Sequence, residues 1–375
     1  MNVYTQTKKF YRILGQFYRN IGNTKKGLIH RFFIFYFDKF IYPRLDNFNF
    51  KDNLLFFTLP KYYGNGFKDS AVGIYQIVDP LRQSLKESNS SLVIYLWHPD
   101  ENSDLFALLK FFKQIHVLGP KKIIIDSPRY NSIKFKDFGI EVYQYLQKKY
   151  DIALIELGWD TISEKWWNEI LLIDLDRTVL VLDNPLKIFV PKLLRESGKA
   201  VSVVPPFDLA QSVPVNNERN IYYNFIGLVG SYRNYRREYL EFVSDLGYQN
   251  FIGSFDSRKG QLERKDYLEI LSTSKISINF SMTHSANFQL KGRVWEAMIA
   301  GSMLLEQDNE QIKYYFKEGI HYETFSDKFQ LKDKLLHYIN NDSERIKIAQ
   351  AGQKRVIELI KSSELFEFLI NYNEK

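Results

Sequence analysis

The densest chemical potential in the chain lies in Ser274–Gln307, SKISINFSMTHSANFQLKGRVWEAMIAGSMLLEQ. Two cations, Lys291 and Arg293, stand just before a predicted short helix, and Glu296 falls in its first turn. A helix start offers unbonded amide donors and the positive end of the dipole, so it suits a phosphate. With Lys291 and Arg293 added, the position becomes chemically reasonable for a pyrophosphate. A carboxylate there can accept both hydrogen bonds of a ribose cis-diol. The structural alternative is a Glu296 that only stabilises the helix N-terminus, beside a solvated Lys291 and Arg293. His284, in the polar loop ahead of Lys291, either reaches the same phosphate or is a bystander.

A second phosphate-friendly edge lies upstream. Phe225–Ser231 reads as a strand ending in the small-residue turn Gly230-Ser231, and Arg233, Arg236 and Arg237 follow at a helix start. Further along the front half, Gly64 and Gly66 sit in Leu59–Phe67, between a predicted strand and a helix. Glycines there let a backbone approach a ligand closely, although an ordinary turn has the same composition. His98, Asp126 and Asp183 stand at the ends of predicted strands, where a general base would be placed; a structural role is open for each. Asp174-Leu175-Asp176-Arg177-Thr178 matches the Asp-x-Asp-x-Thr start of a phosphohydrolase nucleophile site and contains the Asp-x-Asp of metal-dependent transferases. It lies mid-chain, after a Trp-rich stretch, and no late acidic pair accompanies it.

The elements that must position these residues follow an α/β rhythm, short apolar runs alternating with amphipathic stretches. Strands are expected at Leu54–Leu59, Leu92–Trp97, Lys122–Asp126, Ile152–Leu157, Thr178–Leu182 and Ala200–Val204. A second series is expected at Asn224–Val229, Asn250–Gly253, Lys275–Phe280 and Met303–Leu305, with Gly301 as a helix stop. Ser70–Lys86 and Asp104–Gln114 read as helices, and the tail is helical from about Ser343 through Lys354–Tyr372. Strands this apolar should be covered on both faces. The Pro- and Asn-containing stretch from Val204 to Asn217 separates the two series. The expected division is a basic aromatic arm over 1–50, a first Rossmann-like domain over 51–215, a second over 216–354, and a C-terminal helix over 355–375 reaching back to the first domain.

The 375 residues suit two domains, and 45% hydrophobic with 25% charged residues is ordinary globular composition. There is no cysteine, hence no disulfide framework, thiol nucleophile or cysteine-bound metal, which fits a reducing cytosol. The net charge of +7 is carried by residues 1–50, where nine Lys and Arg face Asp38 and Asp46. The rest of the chain is balanced, so nucleic-acid binding is disfavoured. The arm's aromatic run, Phe32–Phe37, is broken by Arg31, Asp38 and Lys39, well short of the roughly 20 apolar residues of a spanning helix. A basic aromatic segment fits an anionic membrane surface, or an arm packed on its own domain with solvated lysines.

Four motifs occur in a fixed order: Gly230-Ser231, Arg293-Val294-x-Glu296-Ala297 with Gly301, Tyr315-Phe316-x-x-Gly319, and Ile348-Ala349-x-x-Gly352-x-x-Arg355. The ordered set resembles the C-terminal domain of the spore-protein-type (CgeB-like) group of GT-B glycosyltransferases, over roughly residues 200–355. The likeness extends to a glycosyltransferase family 1-4-like C-terminal domain. It implies two Rossmann-like domains across a cleft, and a metal-independent enzyme with no cofactor. That enzyme moves a sugar from a UDP- or GDP-sugar to a hydroxyl of a glycan, lipid-linked or protein acceptor. On this resemblance Glu296 is the ribose-binding carboxylate, Arg293 and Lys291 are phosphate ligands, and Gly230, Ser231 and Arg233 face the donor diphosphate. Gly253 to Phe255 meet the nucleobase, and Asp183, before Pro185, is the preferred base with His98 beside it as a candidate. Many retaining relatives carry a second Glu eight residues before the first, where this chain has Phe288. The implied location is cytoplasmic, peripheral at the inner membrane face. Alternatives are a sugar-nucleotide epimerase on the same fold, an Asp-x-Asp phosphohydrolase, and a non-catalytic GT-B binding protein.

Overall fold

The computed structural model describes residues 34–35, 51–60, 91–97, 105–126, 140–158, 178–182, 185–186, 190–205, 207, 209–229, 233–254, 262, 264–282 and 288–371. Two parallel sheets organise them. The first holds β1 (Lys51–Pro60), β2 (Ser91–Trp97), β3 (Pro120–Asp126), β4 (Ala153–Gly158), β5 (Thr178–Leu182) and β6 (Ala200–Ser202). Its strand order is β2-β1-β3-β4-β5-β6. The helices α1 (Leu105–Leu118), α2 (Ile140–Tyr150) and α3 (Lys192–Glu196) belong to this half. Every residue of β4 and β5 is buried, the outcome expected of strands covered on both faces.

The second sheet is five-stranded, ordered β11-β10-β9-β7-β8. It is built from β7 (Ile221–Gly227), β8 (Asn250–Ser254), β9 (Ser274–Asn279), β10 (Met303–Gln307) and β11 (Glu323–Phe325). Its helices are α4 (Asn234–Ser244), α5 (Arg264–Thr273), α6 (Gly292–Ile299), α7 (Glu310–Lys313), α8 (Lys328–Asn340) and α9 (Asp342–Lys361). The chain starts in the middle at β7, steps outward to β8, and then crosses back to β9. The β7–β9 boundary is therefore a topological switch point, where the connections leave the strand tips in opposite directions and open a crevice. The core beneath is aromatic: Phe280 meets Phe225 and Phe325 edge-on, with ring centroids 5.4 and 5.3 Å apart.

The predicted strands match the observed ones apart from their ends, and β11 is additional. Three residues are too few to show an alternation in sequence. The tail also differs from one continuous helix, because α9 stops at Lys361 and a separate α10 spans Leu365–Asn371. Between them Ser363 donates its hydroxyl to the Val204 carbonyl at 3.0 Å, an alternative to continued helix. Beyond that break α10 lies on the first sheet. Leu365 and Leu369 join Ile124, Ile155, Leu157, Val179 and Val181 in one buried cluster, and Lys122 donates Nζ to the Ile370 carbonyl at 2.7 Å.

The segment between β6 and β7 is fastened to the second sheet's layer. Arg219 is buried and donates to the carbonyls of Ser274 (2.9 Å) and Ala300 (2.8 Å), with longer bonds to Pro214, Val215 and Leu271. Burial, then nearby Arg345, pushes its pKa down to about 10. Gln353 on α9 donates to Val213 and Ile299, both at 2.8 Å, and Phe207 stacks on Trp295 of α6. Gly301 closes α6 at φ 74°, and Ser302 N–H reaches back to the Ala297 carbonyl at 3.0 Å, a Schellman ending. A Cβ on Gly301 would stand 2.6 Å from Arg219 Nη2 and from the Val213 carbonyl, so the stop is also a packing requirement.

Candidate functional site

Helix α6 rises beside the switch point and brings Lys291, Arg293 and Glu296 together. Its first helical residue is Gly292, after an extended Lys291 at the N-cap. The helix thus begins earlier than the sequence implied. Arg293 lies inside the first turn and Glu296 one turn on. The macrodipole effect fades beyond the first turn, so dipole stabilisation does not account for Glu296.

Arg293 turns toward the strand tips instead of outward. Its Nε donates to Asn279 Oδ1 at 3.2 Å, Nη1 donates to the Ile226 carbonyl, and the guanidinium lies 5.7 Å from the Phe225 ring centroid. Ile226 is at the end of β7 and Asn279 ends β9, so this one side chain spans the switch point. Gly227 makes the approach feasible, since a Cβ there would fall 2.2 Å from Arg293 Nη1. Burial lowers the Arg293 pKa, opposed by Tyr267, Glu296 and Glu306.

Glu296 is half-buried, and Tyr267 on α5 donates to its Oε2 at 2.6 Å. Lys291 Nζ donates to Gln289 Oε1 at 2.7 Å. Beneath them lies Glu306 at the end of β10, fully buried, taking hydrogen bonds from Asn279 Nδ2 (2.7 Å), Asn309 Nδ2 (3.1 Å) and the Ser281 hydroxyl. Burial pushes this carboxyl up to about 8 against those hydrogen bonds and the charges of Arg293 and Arg236. Arg236 is buried as well. It donates to the carbonyls of Leu228 (3.2 Å), Phe280 (2.9 Å) and Met282 (3.3 Å), holding the β7 exit against the β9 exit.

Arg233 precedes α4 and is half-buried at the β7 exit. Gly253 pairs with Ile226 across β7 and β8, and a Cβ there would strike the Phe251 ring at 2.6 Å, which gives this glycine a packing reason. Phe288 forms an isolated antiparallel bridge with Met282, and its carbonyl accepts from Gln311 Nε2 at 2.7 Å. His98, Asp183, Gly64, Gly66, Gly230, Ser231, Phe255, His284, Asp174 and Asp176 lie outside the described residues, as does the Asp126 side chain. Sequence reasoning missed Asn279, Glu306, Tyr267 and Gly227. The readable trace was a polar residue closing each of two apolar strands, Asn279 and Glu306. Among the described residues, no cluster of three or more His, Asp or Glu could hold a metal, and no helix is long and apolar enough to cross a membrane.

Residues 228–370 match the family model described as Glycosyl transferase-like. No curated protein sequence matches the chain. Among solved structures, Anabaena Alr3699/HepE in complex with UDP is similar over 85% of this chain and 100% of its own, at 10% identity and TM-score 0.57. A glycosyltransferase from Rickettsia africae is similar over 85% and 99%, at 12% identity and TM-score 0.58. Sucrose-phosphate synthase from Thermosynechococcus elongatus is similar over 82% and 95%, at 11% identity and TM-score 0.59. The fold is GT-B. With the matched domain on that scaffold, the class is an enzyme of the glycosyltransferase type.

Proposed function

We propose that this protein transfers a sugar from a nucleoside-diphosphate sugar to a hydroxyl acceptor, and that the crevice beside α6 holds the donor. The observation that carries the reading is Arg293 bridging the tips of β7 and β9, one helical turn from Glu296. Ligands of open α/β sheets bind at such a switch point. Glu296 takes the ribose diol. Lys291, Arg233, the remaining donors of Arg293 and the first amides of α6 receive the diphosphate. Charge building on the leaving diphosphate is met by these fixed donors and cations, a role that needs no metal. HepE was crystallised with UDP and with UDP-glucose, which supports a uridine donor here.

The acceptor hydroxyl loses its proton to a base on the first domain, with Asp183 the preferred candidate and His98 the second. The ordered motifs support a CgeB-like subtype. The basic aromatic residues 1–50 support a cytoplasmic protein resting on an anionic membrane, with a glycan or lipid-linked acceptor. Calorimetric titration with UDP and GDP tests the reading. Glu296→Ala should weaken the preferred nucleotide roughly 10- to 100-fold without lowering the melting temperature, the scale of a lost charge-assisted bond pair. Unchanged affinity removes the site. Transfer that persists in EDTA would support the metal-free route, whereas abolition would reject it.

A further inference from the structure

On the other side of α6, Trp295 packs against Tyr315 and Phe316, with centroids 5.3 and 5.4 Å away. Beyond those rings is a cavity of about 480 Å³ that the donor crevice does not include. Lys317, His321 and Arg355 line it, with Tyr314 and Ile320 on its flank. Tyr314 and Ile320 are 61% and 52% exposed.

The charges in this cavity are unbalanced. Lys313 at the rim is neutralised by Asp308 (3.1 Å) and Glu310 (2.8 Å). Among the described residues, neither Lys317 nor Arg355 has such a carboxylate partner; the Arg355 side chain donates from Nε to the Tyr315 carbonyl at 3.1 Å. His321 Nδ1 accepts the Lys317 backbone N–H at 2.9 Å, so the ring proton sits on Nε2 and that nitrogen is a donor. Burial, then Arg355 and then Lys317, lowers the imidazole pKa, with Glu358 on α9 opposing. Two cations without an ion pair among the described residues, and one neutral N–H donor, thus share a concave surface. Gly352 keeps it compact, because a Cβ there would stand 2.4 Å from the His321 carbonyl.

We propose that this cavity is a second anion site, binding a phosphate group carried on an apolar or aromatic body. Lys317, Arg355 and His321 Nε2–H are its donors, and Tyr314 and Ile320 are the flank that receives the body. A tetrahedral oxyanion can take a guanidinium, an ammonium and a third N–H from different directions, which a planar carboxylate cannot do as well. The phosphate comes either from a soluble ester or from a lipid headgroup.

The test is an NMR pH titration of the His321 imidazole in the full chain, its signal identified by loss in His321→Gln. The probes are phenyl phosphate, inorganic phosphate and benzoate, and vesicles of phosphatidylglycerol or phosphatidylcholine. Bound phosphate should raise the His321 pKa, and phenyl phosphate should bind more tightly than inorganic phosphate. Lys317→Ala, an exposed change with no lost partner, should weaken phenyl phosphate at least about fivefold. A response to phenyl phosphate assigns the site to soluble esters. A response confined to phosphatidylglycerol vesicles assigns it to lipid headgroups. Equal binding of benzoate, the same response in Lys317→Ala, or no His321 response to any probe would overturn the proposal.

Discussion

Tyr267 on α5 donates its phenol to Glu296 Oε2 on α6 at 2.6 Å. The bond holds the carboxylate in a fixed orientation, which it needs if it is to accept two hydroxyls at once. Tyr267→Phe removes the restraint and keeps the ring. It should weaken UDP binding by about 1 kcal/mol, or roughly fivefold, less than Glu296→Ala does. Calorimetry on the two variants checks the ranking, and unchanged UDP affinity in Tyr267→Phe would mean that orientation is irrelevant.

Gly227 answers a steric demand, since any Cβ would occupy the position of the Arg293 guanidinium. Gly227→Ala should therefore lower stability by about 1–3 kcal/mol through overpacking and also displace Arg293 from the strand tip. Thermal melting reads the first effect and UDP titration the second. Loss of stability with UDP affinity intact would separate Arg293 from donor binding.

Glu306 should leave a signature in pH. Its folded-state pKa is raised by burial to about 8, so folding takes up a proton between the ordinary carboxylate range and that value. The stability it contributes is complete at acid pH, declines as pH rises to about 8, and is level above. Glu306→Gln cannot titrate and should flatten the pH dependence of melting in that window. An unchanged profile would mean that another group governs it.

Arg219 holds the connecting segment by five carbonyls, so Arg219→Met should cost about 3 kcal/mol or more by leaving buried acceptors unmet. Denaturant unfolding gives the number. A loss below about 1 kcal/mol would show that water replaces the guanidinium.

Much of this architecture was readable because buried parallel strands write themselves as uninterrupted apolar runs; Thr178–Leu182 matches its strand to the residue. Arg293 and Glu296 were legible for a related reason, being charges in an otherwise apolar helix that a glycine closes. Their partners were not. Tyr267 sits in a mixed helix with nothing to distinguish it, and Asn279 and Glu306 acquire meaning only when the crossover from β8 to β9 sets three strand tips side by side. The early start of α6 was hidden because the Lys291 side chain makes no capping hydrogen bond to the helix, so the usual Ser, Thr or Asp signal is missing.

The docking of Leu365 and Leu369 has a consequence for how the chain comes to be built. The front half waits for a piece made only after the whole second sheet has been synthesised. During translation Leu365 and Leu369 are not yet there to pack on Ile155 and Val181, while the rear half already has all its own strands. The covering of Ile155 and Val181 by Leu365 and Leu369 therefore follows, and cannot precede, the making of the rear half.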